Sequence, residues 1–145
     1  MAELTQRLTT LHTSLLDAIS GYREGLKDAH GKGLTPLFAE LITLHGEAAD
    51  AVAARLKAMG APVDDHGSLM GTFDRAVMKM TSLVTALDDK IIPSLVNGEH
   101  EVLRHYDQAI EASSPDGAEY PVLIAQRDAL QRKVAEMLAR KAAAG

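Results

Sequence analysis

Apolar residues recur every three or four positions along most of this chain, which is the period of amphipathic α-helices. The first such stripe predicts a helix that ends before the glycine-rich residues 30–33. Polar residues such as Arg7, Asp17 and Lys27 lie between the apolar positions, so we expect one buried face. The stripe consists of Leu4, Leu8, Leu11, Leu15, Ala18, Tyr22, Gly25 and Ala29.

A second helix is predicted from Thr35 and Pro36 to about Met59. Thr35 offers a capping hydroxyl, and proline suits the first turn of a helix. A second apolar row, which includes Leu41 and Leu44, widens the inward face, so we expect burial on more than one side. The main seam consists of Phe38, Ile42, His45, Ala49, Val52, Leu56 and Met59.

Three more helices complete the pattern. A short one is predicted over residues 69–84, and the next has Asp88 or Asp89 as its cap and Pro93 in or near its first turn. The last is predicted over about residues 118–141, and the tail over about residues 140–145 should fray. The expected inward row of the fourth helix is Ile92, Leu95, Glu99, Val102, Tyr106 and Ala109 or Ile110. The expected inward row of the last helix is Leu123, Arg127 or Leu130, Val134, and Met137 or Leu138.

The chain therefore reads as an all-α protein. No strand pattern, linker, fixed-period repeat or low-complexity tract is visible in the 145 residues. Connections of about five to nine residues favour antiparallel neighbours. We predict a single domain over residues 1–145, an antiparallel four-helix bundle with a short extra helix between the second and third long helices.

Composition narrows the range of functions. The chain has no Cys, so disulfides, zinc–thiolate sites and thiol catalysis are excluded. Aromatic residues make up 3% of the chain, the net charge is -5, and Lys and Arg form no block. These properties argue against nucleic-acid partners and against an anionic membrane surface. With no export signal and no membrane-length apolar run visible, we expect a cytoplasmic protein.

Two polar residues interrupt the apolar seams. His45 lies between Ile42 and Ala49, and Glu99 occupies a seam position in the fourth predicted helix. A buried carboxylate without partners costs several kcal/mol, so Glu99 should be paired, neutral or metal-bound. Tyr22 and Tyr106 lie on inward faces and could join them in a polar core cluster.

Each of these residues also has a simpler interpretation. His45 could be a core histidine hydrogen-bonded to a carboxylate or hydroxyl. Glu99 could reach solvent from the edge of the seam. Gly98 costs about 1 kcal/mol relative to Ala in a helix interior, and a bulge there would turn Glu99 outward.

Metal binding is a second hypothesis for these residues. Oxygen donors and one imidazole suit iron, manganese or zinc, and the candidate ligands are Glu99, His45 and Glu47. Glu101 and His105 are four residues apart and could form either a metal pair or an ordinary exposed charge pair. The four other histidines are expected to be exposed or in loops: His12, His30, His66 and His100.

Four segments carry a resemblance to a known family. They are "GYREG" at residues 21–25, "LFAELITLHGEAA" at 37–49, "HGSLMGTFDRAV" at 66–77 and "NGEHEVLRHYDQAI" at 97–110. Over roughly residues 4–138 the chain resembles domain-of-unknown-function family 2383, bacterial ferritin-like four-helix-bundle proteins. It departs at Asp74, Arg75 and Val77, where His-Arg and a Trp are usual. The resemblance implies a ferritin-like fold and supplies no reaction. The Glu-x-x-His pairs of a complete di-iron site do not occur.

Three functions remain open. The first is a non-enzymatic bundle, a stress-related or interaction protein that acts through self-association as a homo-oligomer. The second is a metal-binding ferritin-like protein with an incomplete di-metal carboxylate site. The third is a small-ligand pocket near Gly98, bordered by Glu99, Tyr106 and His45. Nucleotide-binding and hydrolase motifs are missing, which disfavours an enzyme.

Overall fold

The fold is built from α-helices that pack against one another. The structure, a computed structural model, describes residues 2–28, 34–63 and 91–144. These ranges contain no strand and four helices: α1 (Ala2–Asp28), α2 (Thr35–Ala58), α3 (Ile92–Ala112) and α4 (Glu119–Ala144). The predicted all-α bundle is confirmed. The predicted short helix over 69–84 and the predicted caps Asp88 and Asp89 lie outside the described residues.

Side-chain contacts give the relative directions of the helices. Tyr22, near the end of α1, meets Glu99 near the start of α3, and Arg7 near the start of α1 meets Gln108 near the end of α3. In the other packed pairs of helices, too, a residue late in one helix contacts a residue early in the other. The contacts are Tyr22–Phe38 between α1 and α2, Arg55–Glu119 and Lys133–Glu40 between α2 and α4, and Tyr106–Gln126 between α3 and α4. Every helix is therefore antiparallel to the helices beside it. Helices α2 and α3 lie across the bundle from each other and run in the same direction.

The predicted stripe of α1 forms one side of the core. All its residues from Leu4 to Gly25 are buried, and Ala29 lies outside the described ranges. Of the predicted second seam, Ile42 and Met59 are only partly buried, and Met59 lies just after the end of α2. Phe38, Ala49, Val52 and Leu56 are buried. Burying each large aliphatic or aromatic side chain contributes about 1.5–3 kcal/mol.

Pro36 and Pro93 lie in the first turns of α2 and α3, as the sequence predicts. A missing N–H costs little there, because that group has no acceptor within the helix. The prediction that Thr35 is the cap of α2 is wrong by one residue. The capping position is Leu34, whose apolar side chain makes no capping hydrogen bond and is buried in the core instead.

The end of α4 differs from expectation in two ways. The helix continues to Ala144, so the tail that was predicted to fray is helical. Met137 is buried, but Leu138 is 48% exposed. Adjacent helical positions point about 100° apart, and the inward stripe of α4 is narrow, so only one of the two can face the core. The buried members of that stripe are Leu123, Leu130, Val134 and Met137.

None of the helices in the described part of the chain combines the length and the apolar character that crossing a membrane requires.

Candidate functional site

Helix α3 keeps a regular period through Gly98, which decides the position of Glu99. The helix is continuous from Ile92 to Ala112, and Gly98 itself is buried. Glu99 therefore stays on the face of Leu95 and Tyr106, and none of its surface is exposed. The outward turn considered for Glu99 does not occur.

The Glu99 carboxylate lies at the centre of a hydrogen-bonded cluster from three helices. Tyr22 of α1 donates its hydroxyl to Glu99 Oε2 at 2.6 Å. His45 Nε2 of α2 lies 2.9 Å from Oε1 and 2.8 Å from Oε2 of the same carboxylate. His45 is 1% exposed and Tyr22 is fully buried. We call these three residues the Tyr22–Glu99–His45 cluster; its His45–Glu99 contact crosses the diagonal of the bundle.

The cluster satisfies the polar groups that it buries. Both oxygens of Glu99 have a partner, because His45 Nε2 lies within hydrogen-bond distance of each and Tyr22 donates to Oε2. Hydrogen bonds that involve an ionised group are shorter and about twice as strong as those between neutral groups. A buried carboxylate with this number of partners is compatible with a dry core.

Aromatic packing fixes the Tyr22 ring. It lies 5.3 Å from Phe38 in a tilted arrangement and 6.2 Å from the His45 imidazole in a stacked one, measured between ring centroids. Burial raises the pKa of Tyr22 well above its usual value, and the Glu99 carboxylate beside it raises that pKa further. The hydroxyl therefore remains a protonated donor at neutral pH.

Tyr106 has a different partner from the one that sequence reasoning suggested. Its hydroxyl donates to Gln126 Oε1 of α4 at 2.9 Å, so it links α3 to α4 rather than bonding to Glu99. Burial raises the pKa of Tyr106, with a further contribution from the Glu99 charge. Sequence reasoning did not identify Gln126 as a functional residue. Its spacing from Leu123, three positions before it, and Leu130, four positions after it, would have placed it on the inward side of α4.

Glu47 does not join the cluster. Its side chain is exposed on α2, two residues from the buried His45. Within residues 2–28, 34–63 and 91–144, no group of three His, Cys, Asp or Glu side chains comes close enough together to hold a metal ion. The structure thus brings Glu99 and His45 together and leaves Glu47 at the surface.

The neighbouring charged residues of α3 pair differently from the prediction. Glu101 bonds to Arg104 at 2.7 Å rather than to His105, and this contact lowers the pKa of Glu101. His105 is half-buried, its burial lowers its pKa, and its Nδ1 atom has no hydrogen-bond partner. His100 is exposed as expected, and His30 and His66 lie outside the described residues.

Helix α1 buries more polar residues than its stripe predicts. His12 is 4% exposed and Asp17 is 8% exposed, so the expectation that His12 is exposed or in a loop is wrong. The physical reason is that α1 packs against both α2 and α3. A helix with two neighbours buries a wider arc than the single seam that the apolar period indicates.

The predicted cavity beside Gly98 is divided between two grooves. A polar groove of about 280 Å³ between α1 and α3 includes Gly98, Glu101 and His105. An apolar groove of about 240 Å³ between α2 and α4 is bordered by His45 and Tyr106. Glu99 lines neither groove, because it lies deeper in the core.

These features define an all-helical bundle protein in which a buried carboxylate joins a phenol and an imidazole from two other helices. The sequence matches the family described as Domain of unknown function (DUF2383) over residues 3–112, so the chain belongs to this family. The match contains the three helices that supply the cluster and ends before α4, earlier than the resemblance suggested. Comparisons with curated proteins and with solved structures find no match.

The raised pKa values of Tyr22 and Tyr106 predict a loss of stability in alkali. Below pH 10, the ordinary tyrosine pKa, both hydroxyls are protonated in the folded and unfolded states. Above it the unfolded chain ionises first, so each tyrosine lowers the free energy of unfolding by up to about 1.4 kcal/mol per pH unit. Urea unfolding from about pH 9 to about pH 11 should show this decline.

The double variant Tyr22→Phe/Tyr106→Phe is the control for this measurement, because lysines and the chain termini titrate equally in both proteins. Its free energy of unfolding should fall less steeply above pH 10 than that of the wild type. Equal slopes would mean that the two hydroxyls are not buried as described.

Proposed function

We propose that this chain is a non-enzymatic, ferritin-like bundle protein that acts through self-association. The observation that carries the proposal is the complete burial of Glu99 with both of its oxygens hydrogen-bonded. A catalytic acid or base must come within hydrogen-bond reach of a substrate. The Tyr22–Glu99–His45 cluster is instead occupied internally, and it favours the single arrangement of α1, α2 and α3 in which all three side chains meet.

The directions of the helices support the ferritin-like part of the proposal. Helices α2 and α3 run in the same direction, and α2 alone is about 36 Å long at 1.5 Å per residue. In a simple up-and-down bundle these two helices would be antiparallel, whereas a parallel pair on the diagonal is the arrangement of the ferritin-like class.

An exposed apolar side chain on α4 supports self-association. Leu138 is the most exposed large hydrophobic residue in the described part of the chain. Helix α4 also lies beyond the residues that match the family, so its outer face can serve a role particular to this chain. Apolar atoms removed from water contribute about 25 cal/mol per Å² to an interface between two copies.

Light scattering coupled to size-exclusion chromatography tests the proposal. We expect a mass above the 15.5 kDa of one chain that rises with protein concentration. Leu138→Ser should lower that mass and leave the urea midpoint unchanged, since surface substitutions usually shift stability by less than about 0.5 kcal/mol. The matched control is Ala143→Ser, at an exposed position on another face of the same helix. A strict monomer at all concentrations would overturn the proposal.

We propose metal binding as a second candidate, because His45 Nε2 and the Glu99 carboxylate converge within 2.9 Å. Two such ligands fall short of the three or four that a zinc site uses. Iron, manganese or zinc would need a further oxygen, from Tyr22 or from water. Metal analysis of the protein used for light scattering, loaded with each ion and dialysed, distinguishes the two candidates. A bound metal content well below one ion per chain, with the same content in Glu99→Ala, would contradict metal binding by this protein.

A further inference from the structure

Helices α2 and α4 enclose an apolar groove between two ion pairs that join them. Arg55 bonds to Glu119 at 2.9 Å at one end, and Lys133 pairs with Glu40 towards the other. Between these ion pairs the two helices present small and aliphatic side chains to a space of about 240 Å³. The groove walls consist of Leu44, Ala48, Ala125, Ala129 and Leu130.

The polar residues of the groove divide into a bonded floor and a charged rim. At the floor, Tyr106 is bonded to Gln126, and His45 is bonded to Glu99 beneath it. At the rim lies Glu47, which is exposed and has no ion pair or hydrogen bond within the described part of the chain. The groove thus offers an apolar interior and one carboxylate that is free to meet a cation.

We propose that this groove binds a small organic ammonium ion, with an apolar ring or chain between α2 and α4 and a protonated amine at Glu47. A closed cavity of about 150 Å³ accepts benzene, so about 240 Å³ accommodates a benzene-sized ring with a short side chain. The groove meets the buried cluster only at His45, and the proposal does not depend on self-association.

The charge and polarity of the groove select this class of ligand. Glu47 is the acidic residue on its lining, and the whole chain carries a net charge of -5, so an anion of the same shape is repelled. A polyamine is also disfavoured, because its additional charged nitrogens would lose their hydration against Ala and Leu side chains.

The probe that tests the proposal is phenethylammonium, compared with phenylacetate as a ligand of similar size and opposite charge. Titration followed by amide chemical shifts should give a dissociation constant for phenethylammonium of about 0.1–3 mM, a range typical for ligands of about nine non-hydrogen atoms. The shifts should be largest at residues 44–48 and 125–130. Phenylacetate should bind about threefold to tenfold more weakly.

Two pairs of variants separate the groove from other binding surfaces. Ala129→Leu fills the groove and should weaken phenethylammonium binding at least about tenfold. Ala135→Leu places the same side chain on an exposed position of α4 and should leave binding unchanged. Glu47→Gln should remove the preference for phenethylammonium over phenylacetate, whereas Glu111→Gln, at an exposed position of α3, should retain it.

Circular dichroism confirms the fold of each variant, and Ala125→Leu replaces Ala129→Leu if the latter unfolds. No binding at millimolar probe, equal affinity for the two probes in the wild type, or full binding in the filled variant would each overturn the proposal. Light scattering of the same samples reports self-association separately, so the two proposals can fail independently.

Discussion

Glu99→Ala is expected to lower the free energy of unfolding by about 3–5 kcal/mol, the largest effect of any change considered for this protein. The substitution removes the carboxylate that Tyr22 and His45 share, so the buried phenol hydroxyl and imidazole nitrogen both lose their hydrogen bond to it. It also leaves a cavity in a part of the core where Leu95 and Val102 are fully enclosed. Urea unfolding followed by circular dichroism measures the loss.

Three further variants make that experiment decisive. Glu111→Ala removes an exposed carboxylate from the same helix and should change stability by less than about 0.5 kcal/mol. Glu99→Gln keeps the volume but turns an amide NH₂ towards a donor, so an intermediate loss is expected. Combining Glu99→Ala with Tyr22→Phe should cost less than the sum of the two single changes, since their partner groups are shared. If Glu99→Ala costs no more than Glu111→Ala, the cluster does not stabilise the bundle.

The sequence placed Glu99 at a seam position and left open whether it turned outward at Gly98. It offered His45, Tyr22 and Tyr106 as possible partners without choosing among them. The apolar period of α3 shows which face of the helix a residue occupies, and Glu99 shares that face with Leu95 and Tyr106. The period carries no information on which side chain of another helix lies at the same height. Tyr22 and His45 are 77 and 54 positions away along the chain, so the cluster depends on how three helices are assembled.

The residues that were misplaced share a physical cause. His12 was expected to be exposed or in a loop, and Asp17 lies outside the single apolar seam, but both are buried because α1 has neighbours on two sides. Leu138 was treated as interchangeable with Met137, although a narrow inward stripe accepts one of the two. Helix periodicity gives the centre of a buried face reliably, and the width of that face is set by the number of helices packed against it.

The glycine at position 25 shows how closely α1 approaches α2 beside the cluster. Gly25 was part of the predicted stripe and is buried where α1 approaches α2. A Cβ atom at Gly25 would lie 2.5 Å from Cε2 and 3.3 Å from Cδ2 of Phe38. The Phe38 ring has no exposed surface and packs against Tyr22, which holds Glu99. The absence of a side chain at Gly25 therefore helps to position the ring next to the cluster.

Gly25→Ala is accordingly expected to destabilise the protein by about 1–3 kcal/mol, the cost of forcing extra volume into a packed core. Helix propensity alone predicts the opposite sign, because Ala is favoured over Gly by about 1 kcal/mol within a helix. The sign of the change in the urea midpoint thus shows whether α1 and α2 are in close contact at this point.

Gly46→Ala is the matched control, because a Cβ atom there meets nothing within 4 Å in the described part of the chain. It lies next to His45 on α2 and should stabilise the protein by about 0.5–1 kcal/mol. Adding Phe38→Leu to Gly25→Ala should recover part of the loss, since a smaller side chain can move away from the new methyl group. If Gly25→Ala and Gly46→Ala both stabilise, the Phe38 ring is not held against α1, and the packing that positions Tyr22 beside Glu99 is looser than the described contacts require.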